Sequence, residues 1–418
     1  MTDALQALSR EELAALGREY LLAGHLIDRA GMPFLLAEFG RDAMRDVAIE
    51  EWMSASPVYT KRMRRALGWE GDDVGTIFKG MQFDIGAPHQ FMDFRYRVHD
   101  ATHGEFSLAW CGALMDVEPI GEEFVVTMCH HIEDPTFDAT ASATNPRARM
   151  RPVHRPPRVP QGRVPHCNWT VEIDPKAEPL KEPEGARWLA TSRAANVELR
   201  TEPETTPAGD LDYAGPMDPD LQLERFSHAT LVRICDEVCL QGHLLARSFL
   251  RAVERRFGTD AALRIGARQL TGVAGVIAKR LGRLLGTTGG IHDVMRVLEL
   301  HPSLRPRAYV NAVVGGDRVE IGPCDALDEG DELTWIALLL RGETTAIRSI
   351  AQAIDPHATC EPVRPHKQAR AAWSVRIEKK GPGADDSDEV RVTSFSKGAG
   401  FVFQPKEGMS TAPAKKAE

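Results

Sequence analysis

The sequence predicts an α+β fold of two tandem pseudo-repeated units, each with N-terminal helices followed by a mainly antiparallel sheet. Each half begins with helical periodicity, continues in short alternating runs typical of strands, and resembles the other half. Helices that precede strands, rather than alternate with them, indicate an α+β arrangement. We expect an active unit at 1–173, a linker or strap at 174–220, a degenerate copy of the unit at 221–380 and a mostly flexible tail at 381–418.

The internal repeat is clearest in two gap-free segments. Residues 24–43 (GHLIDRAGMPFLLAEFGRDA) match residues 242–261 (GHLLARSFLRAVERRFGTDA) at 8 of 20 positions, an offset of 242 − 24 = 218. Further along the chain, Trp169 aligns with Trp373 at an offset of 373 − 169 = 204, as changes in loop length would produce. The matches keep their order, which indicates an internal duplication.

Local signals predict the individual elements. Ser9 and Glu12 form a capping-box pattern before apolar residues at helical spacing, which predicts the first helix. Period-2 runs predict the strands, and polar composition predicts disorder beyond Pro405. Helices are expected over about 33–53 and around 61–67, and strands at 94–98, 105–110, 124–128, 169–173 and 390–392.

Composition and charge exclude several classes of protein. The 418 residues carry 51 Lys and Arg against 60 Asp and Glu, a net charge of −9, which argues against a nucleic-acid partner. No apolar run approaches the roughly 20 residues that span a bilayer, so no membrane partner is expected. Seven cysteines without an export signal favour a cytoplasmic location. No phosphate-binding loop appears, so no nucleotide cofactor is expected; a homodimer is compatible with the sequence.

Chemically versatile side chains concentrate in the first unit, where three cysteines and six histidines lie between residues 99 and 167. A zinc or iron site is one expectation, because thiolate and imidazole are the ligands these metals prefer. A cysteine nucleophile activated by histidine is a second, and buried cysteines beside loop-capping histidines are a third. The candidate catalytic residues are Cys111, Cys129, His130, His131, Glu133, Asp134 and His103, and the candidate metal ligands are Cys129, Cys167 and His166.

The second half has lost most of this polar cluster. Leu339-Leu340-Arg341 aligns with Cys129-His130-His131, and Arg370-Ala371 aligns with His166-Cys167. This asymmetry favours one functional site, in the first unit, on which we expect His103 and the three cysteines to converge. Arginines of the proline-rich stretch 145–163 are expected to orient an acidic substrate, although a solvated strap is the alternative. These arginines are Arg147, Arg149 and Arg151.

Short motifs of the first unit resemble a known family. In chain order they are Cys111 after a strand, Met128-Cys129 with Asp134-Pro135-Thr136-Phe137, Asn145-Pro146, and Cys167-Asn168-Trp169. Over about 170 residues this order resembles the L-2-amino-thiazoline-4-carboxylic acid hydrolase-like domain. The resemblance implies hydrolysis of a small ring or amide-like C–N bond, with the three cysteines at the site.

The combined expectation is a hydrolase acting on a small acidic ring or amide substrate. In this hypothesis His130 or His131, oriented by Glu133 or Asp134, is the general base. The alternative is a non-catalytic module that binds a hydrophobic or acyl ligand, or a metal, through the same pocket.

Overall fold

The structure, a computed structural model, confirms the α+β architecture and describes residues 3–200, 204, 208–341, 344–379 and 381–404. The strands form two four-stranded antiparallel sheets, one in each half. The helices are α1 (Arg10–Leu67), α2 (Val74–Gln82), α3 (Gly112–Val117), α4 (Glu122–Val126), α5 (Glu133–Ser142), α6 (Glu184–Ala190), α7 (Arg193–Asn196), α8 (His228–Phe257), α9 (Thr259–Leu285), α10 (Ile291–Leu300), α11 (Arg307–Val310), α12 (Trp335–Leu340), α13 (Thr345–Ile354), α14 (Asp388–Thr393) and α15 (Lys397–Gly400). The strands are β1 (Met92–Val98), β2 (His103–Cys111), β3 (Ala148–His154), β4 (Cys167–Ile173), β5 (Ala312–Gly315), β6 (Arg318–Ile321), β7 (Ala358–Pro362) and β8 (Ala371–Ile377).

Helix α1 begins at the predicted capping box. The Ser9 hydroxyl accepts from the Glu12 amide at 3.2 Å, and the Glu12 carboxylate accepts from the Ser9 amide at 2.8 Å. The helices expected over 33–53 and 61–67 belong to this same element, which is broken only at Gly40 (φ 85°, ψ 175°). In the second half, Gly258 (φ 86°, ψ 166°) makes the equivalent break between α8 and α9.

The two sheets have the same strand order, β1-β2-β4-β3 and β5-β6-β8-β7. The strands predicted at 94–98, 105–110 and 169–173 are confirmed as parts of β1, β2 and β4. The basic stretch considered a strap contributes β3, which pairs with β4. The repeated order of elements extends the similarity of the two halves from sequence to topology.

Two predicted strands are wrong. Residues 124–128 lie in α4 and in a π-helical turn, Thr127–Ile132, that continues into α5. Val125, Met128 and Cys129 are buried there at helical spacing, which a short apolar run does not distinguish from a strand. Residues 390–392 belong to α14, whose first turn is capped by the Ser387 hydroxyl.

The two units share part of their hydrophobic core. Helix α1 packs along α8 and α9, and buried residues of both halves belong to one hydrophobic cluster. At the two helix breaks, Phe39 and Phe257, which are equivalent at the offset of 218, stack with ring centroids 3.8 Å apart. Equivalent residues of the two halves thus contact each other at the helix breaks.

The segments predicted as linker and flexible tail each carry two short helices at corresponding positions. Helices α6 and α7 correspond to α14 and α15 at an offset of 204. The amides of Arg193 and Ala194 donate to Glu329 in the second unit at 2.9 and 3.0 Å, and the Lys397 amide donates to Asp116 in the first unit at 2.6 Å. The last helix of each of these crossing segments therefore lies against the opposite unit. A buried carboxylate of that unit accepts hydrogen bonds from the backbone amides at the start of the helix.

Two further predictions concern the chain as a whole. Within the described residues, every helix is too short or too polar to cross a lipid bilayer. The disorder predicted beyond Pro405 concerns residues 405–418, which lie outside the described part of the chain.

Candidate functional site

A largely apolar cavity of about 460 Å³ lies in the first unit. Helix α1, the α3–α5 region, the start of β1 and helix α14 surround it. This volume falls within the roughly 300–1,000 Å³ of small-molecule sites. Its apolar walls include Met32, Trp52, Met92, Phe94, Phe137 and Val392.

Two backbone irregularities shape this cavity. The break at Gly40 lets α1 contribute lining residues from both of its arms, Met32 before the break and Met44 after it. The π-helical turn brings Met128 and Ile132 to the wall just before α5 supplies Phe137. Single-turn π-helices inside α-helices frequently occur at functional sites.

A small polar group, His25, Asp28 and Arg29, lines one side of the cavity. Arg29 pairs with Asp28 at 3.0 Å and with Asp116 at 3.4 Å. The buried atoms His25 Nε2 and Asp28 Oδ1 have no hydrogen-bond partner. Burial, reinforced by the Arg29 charge, lowers the pKa of His25 well below its ordinary value, so its imidazole is neutral at neutral pH. Burial raises the pKa of Asp28.

Two further carboxyl groups face the same space. Burial raises the pKa of Glu133 to about 8. Burial also raises the pKa of Asp84 to about 6, against the opposing hydrogen bond that the Tyr59 hydroxyl donates at 2.7 Å. The Glu51 carboxyl, which does not line the cavity, is fully buried with neither oxygen hydrogen-bonded, and burial raises its pKa well above the ordinary value. The site therefore combines an apolar wall with carboxyl groups that take up protons near neutral pH.

The three cysteines come together, but not on the cavity wall. Cys111, Cys129 and Cys167 are buried in one hydrophobic cluster of the first unit. Burial, together with the nearby Glu133 carboxyl, raises the pKa of the Cys111 thiol to about 12 and raises the pKa of the Cys129 and Cys167 thiols well above the ordinary value. These thiols are protonated at neutral pH, whereas a nucleophile requires the thiolate.

The expected convergence of His103 with the cysteines is not observed. His103 begins β2 and Cys111 ends it, so eight residue steps of about 3.3 Å place them about 26 Å apart. The His103 imidazole lies beside Asp100 in the exposed β1–β2 turn instead. The strand predicted at 105–110 already lies between the two residues, so the expected convergence conflicts with the predicted strand itself.

The other candidate acids and bases have separate positions. The His130 Nε2 atom lies 2.7 Å from the Pro156 carbonyl oxygen, and His131 is exposed. Asp134 forms an ion pair with Arg155. Among the predicted catalytic residues, Glu133 is the one that lines the cavity.

The arginines expected to bind an acidic substrate also lie away from the cavity. Arg149 donates to the Glu178 carbonyl oxygen at 2.7 Å, and Arg151 pairs with Asp138 at 3.0 Å. Neither these two nor Arg147 lines the wall. The arginine at the site is Arg29, which sequence reasoning missed although it is one of the eight identities between the two halves.

The predicted metal ligands do not form a recognisable metal centre. His166 is buried, its Nδ1 atom has no hydrogen-bond partner, and its ring packs against Trp110. Within the part of the chain that the structure describes, no three His, Cys, Asp or Glu side chains are grouped as metal ligands. A zinc or iron site stays a prediction for which the described residues offer no ligand set.

Comparisons with known proteins identify no relative of this chain. No protein-family model, curated protein or solved structure matches it. The resemblance to the L-2-amino-thiazoline-4-carboxylic acid hydrolase-like domain therefore stays a prediction.

Proposed function

We propose that the first unit binds one small, uncharged and predominantly apolar molecule in the cavity. The observation that carries this proposal is the apolar space of about 460 Å³ bordered by two unpartnered polar atoms, His25 Nε2 and Asp28 Oδ1. Apolar ligand surface gains about 25 cal/mol per Å² on leaving water. A single hydroxyl or amide on the ligand would satisfy polar atoms that otherwise cost about 1–3 kcal/mol each.

The charges around the cavity favour an uncharged ligand. Arg29 is the cation of the wall, and Asp28 and Asp116 already pair with it. A ligand carboxylate would also meet Asp84 and Glu133, whose raised pKa values show that this environment disfavours negative charge. We therefore propose the binding-module alternative in place of the acidic substrate expected from sequence.

Titration with the neutral fluorophore 1-aminoanthracene tests this proposal. We expect one probe per chain, with the emission shift of an apolar environment. Ala48 is buried on the cavity wall, so Ala48→Phe fills the space and should weaken probe binding at least tenfold. Ala37 is exposed on the same helix, so Ala37→Phe is the matched control and should bind as the wild type does.

Both variants are first checked for folding by circular dichroism, and Ala113→Phe offers a second way to fill the cavity from α3. Absence of saturable probe binding to the folded wild-type chain contradicts the proposal. Equal binding by folded wild-type, Ala48→Phe and Ala113→Phe chains also contradicts it, because the probe then sits elsewhere.

A second candidate function is hydrolysis by general acid–base catalysis in the same cavity. It is supported by Glu133 and Asp84, two carboxyl groups on the same wall whose pKa values are raised to about 8 and about 6. Carboxyls with separated pKa values can divide the roles of acid and base. The cytoplasmic location and the homodimer stay predictions beside either function.

Turnover of 4-nitrophenyl butyrate tests this second candidate. Catalysis that is lost in Glu133→Gln and retained in Glu122→Gln, an exposed control from helix α4, supports it. Equal turnover by both variants contradicts a catalytic role for Glu133.

A further inference from the structure

The second unit repeats the arginine of the cavity wall together with its ion pair. Arg29 and Arg247 are equivalent at the offset of 218, and both are largely buried on the first long helix of their unit. Arg29 pairs with Asp116 at 3.4 Å, and Arg247 pairs with Glu329 at 3.5 Å. The same two acids, Asp116 and Glu329, hold the crossing segments, so the two arginines share one equivalent partner.

The tryptophan of the first crossing segment occupies the corresponding space in the second unit. At the offset of 204, Trp188 is equivalent to Val392, which lines the cavity of the first unit. The guanidinium carbons of Arg247 and Arg251 lie 5.1 and 5.4 Å from the Trp188 ring centroid. These two arginines are the equivalents of Arg29 and Pro33, both of which line the cavity.

Side chains next to Trp188 in the second unit also pack closely where the first unit has its cavity. Leu250 and Gly266 are equivalent to the cavity-lining residues Met32 and Ala48. A Cβ atom on Gly266 would lie 2.3 Å from the Leu250 side chain, which shows how tightly these positions meet. Trp188 packs against the cluster that contains Leu250. The indole therefore stands in the second unit where the first unit has open space.

The geometry around Arg247 explains why a flat ring fits. Its guanidinium edge is engaged by Asp331 at 3.0 Å and by Glu329, which leaves the planar face for the Trp188 indole. Arg29 also pairs with two carboxylates, that of Asp116, the equivalent of Glu329, and that of Asp28, which has no acidic counterpart in the second unit. When the N–H groups of a guanidinium are paired with carboxylates, its planar face can still stack against an aromatic ring.

We propose that the ligand of the first unit carries a flat aromatic ring that lies against Arg29 as the Trp188 indole lies against Arg247. This inference rests on the proposed binding function and narrows its ligand class to uncharged aromatic molecules. In the second unit this space is occupied by the Trp188 side chain of the crossing segment, and the first unit takes a free molecule.

Competition between two compounds of the same skeleton tests the aromatic ring. Bound 1-aminoanthracene is displaced with 2-naphthol, which is flat, and with decahydro-2-naphthol, which carries the same hydroxyl on a saturated frame. We expect 2-naphthol to compete at a concentration at least tenfold lower. Equal potency, or stronger competition by the saturated compound, overturns the aromatic inference and leaves the binding function standing. If the probe itself does not bind, the binding function fails.

A substitution tests the equivalence of the two positions. Val392→Trp places an indole where Trp188 stands in the second unit, and we expect it to weaken 2-naphthol binding at least tenfold. Val402→Trp is the matched control, because Val402 lies on the same segment and is exposed. Undiminished binding by a folded Val392→Trp chain overturns the inference that the two spaces correspond.

Discussion

The Ser396 hydroxyl donates a hydrogen bond of 2.7 Å to the Asp116 carboxylate, 280 residues earlier in the chain. Asp116 also accepts from the Lys397 amide and pairs with Arg29. One buried carboxylate thereby fixes the C-terminal crossing segment and the charged side of the cavity. The position of Val392 on the cavity wall depends on the same attachment, because it lies on α14 shortly before Ser396.

Replacing this carboxylate should destabilise the fold. Asp116→Ala leaves Arg29 with Asp28 alone and removes the acceptor for Ser396 and Lys397. We expect a loss of about 2–4 kcal/mol in the free energy of unfolding, measured by urea denaturation, and faster amide exchange over 388–403. Asp72→Ala, at an exposed position, should change stability by less than about 0.5 kcal/mol. An unchanged unfolding midpoint in Asp116→Ala would show that the carboxylate does not anchor the segment.

The break in α1 should depend on glycine. Gly40 has φ 85° and ψ 175°, a conformation that costs other residues about 1–3 kcal/mol, and no atom crowds the position of a Cβ. Gly40→Ala should therefore lower the free energy of unfolding by that amount through the backbone alone. Gly215→Ala, where φ is not positive and the space is also open, should be nearly neutral. Equal stability of the two variants in thermal melts would contradict this account of the break.

The cysteines should be unreactive in the folded chain. All seven are free and buried, and burial raises the pKa of the Cys111 thiol to about 12. With Ellman's reagent at pH 8 we expect slow reaction of the native protein, and seven thiols only after denaturation in guanidinium chloride. One rapidly modified thiol that maps to Cys129 or Cys111 would instead support the covalent mechanism considered from sequence.

The contribution of Glu133 to stability should fall as the pH rises through the neutral range. Burial raises the pKa of Glu133 to about 8, so the folded chain binds this proton more tightly than the unfolded chain does. The resulting stabilisation is complete at acidic pH below the unfolded pKa and disappears as the pH rises towards 8. Glu133→Gln should remove about 3–5 kcal/mol of this dependence between pH 5 and pH 9. The free energy of unfolding is measured by urea denaturation at each pH, with Glu122→Gln as the control. If Glu133→Gln shows the same pH dependence as the wild type, Glu133 does not titrate in this way.

The sequence predicts those parts of the fold that depend on local chemistry. The capping box at Ser9 and the alternating runs of β1, β2 and β4 involve neighbours in the chain, and their effects are visible in a short window. The short apolar run at 124–128 does not distinguish a strand from a helix, because a buried strand and a buried helical turn have the same apolar composition. Its helical state depends on contacts with α1.

The cavity was harder to predict because its wall is assembled from distant segments. Arg29 belongs to the internal repeat, but its role depends on Asp116 in α3 and on the segment that Asp116 holds. The sequence places the three cysteines in one unit, but their burial away from the cavity depends on the packing of β2, β4 and the π-helical turn that carries Cys129. Trp188 and Val392 can be aligned from the sequence. The alignment suggests a ligand only after the structure shows that Val392 lines a cavity.

A crystal structure grown with 6-bromo-2-naphthol tests the central claim most directly, because anomalous scattering locates the bromine independently of any fitted ligand. The account predicts a single bromine peak per chain, inside the cavity of the first unit, with the naphthalene ring against Arg29. A bromine found only on the surface or in the second unit, or no ordered bromine at saturating concentration, would contradict it.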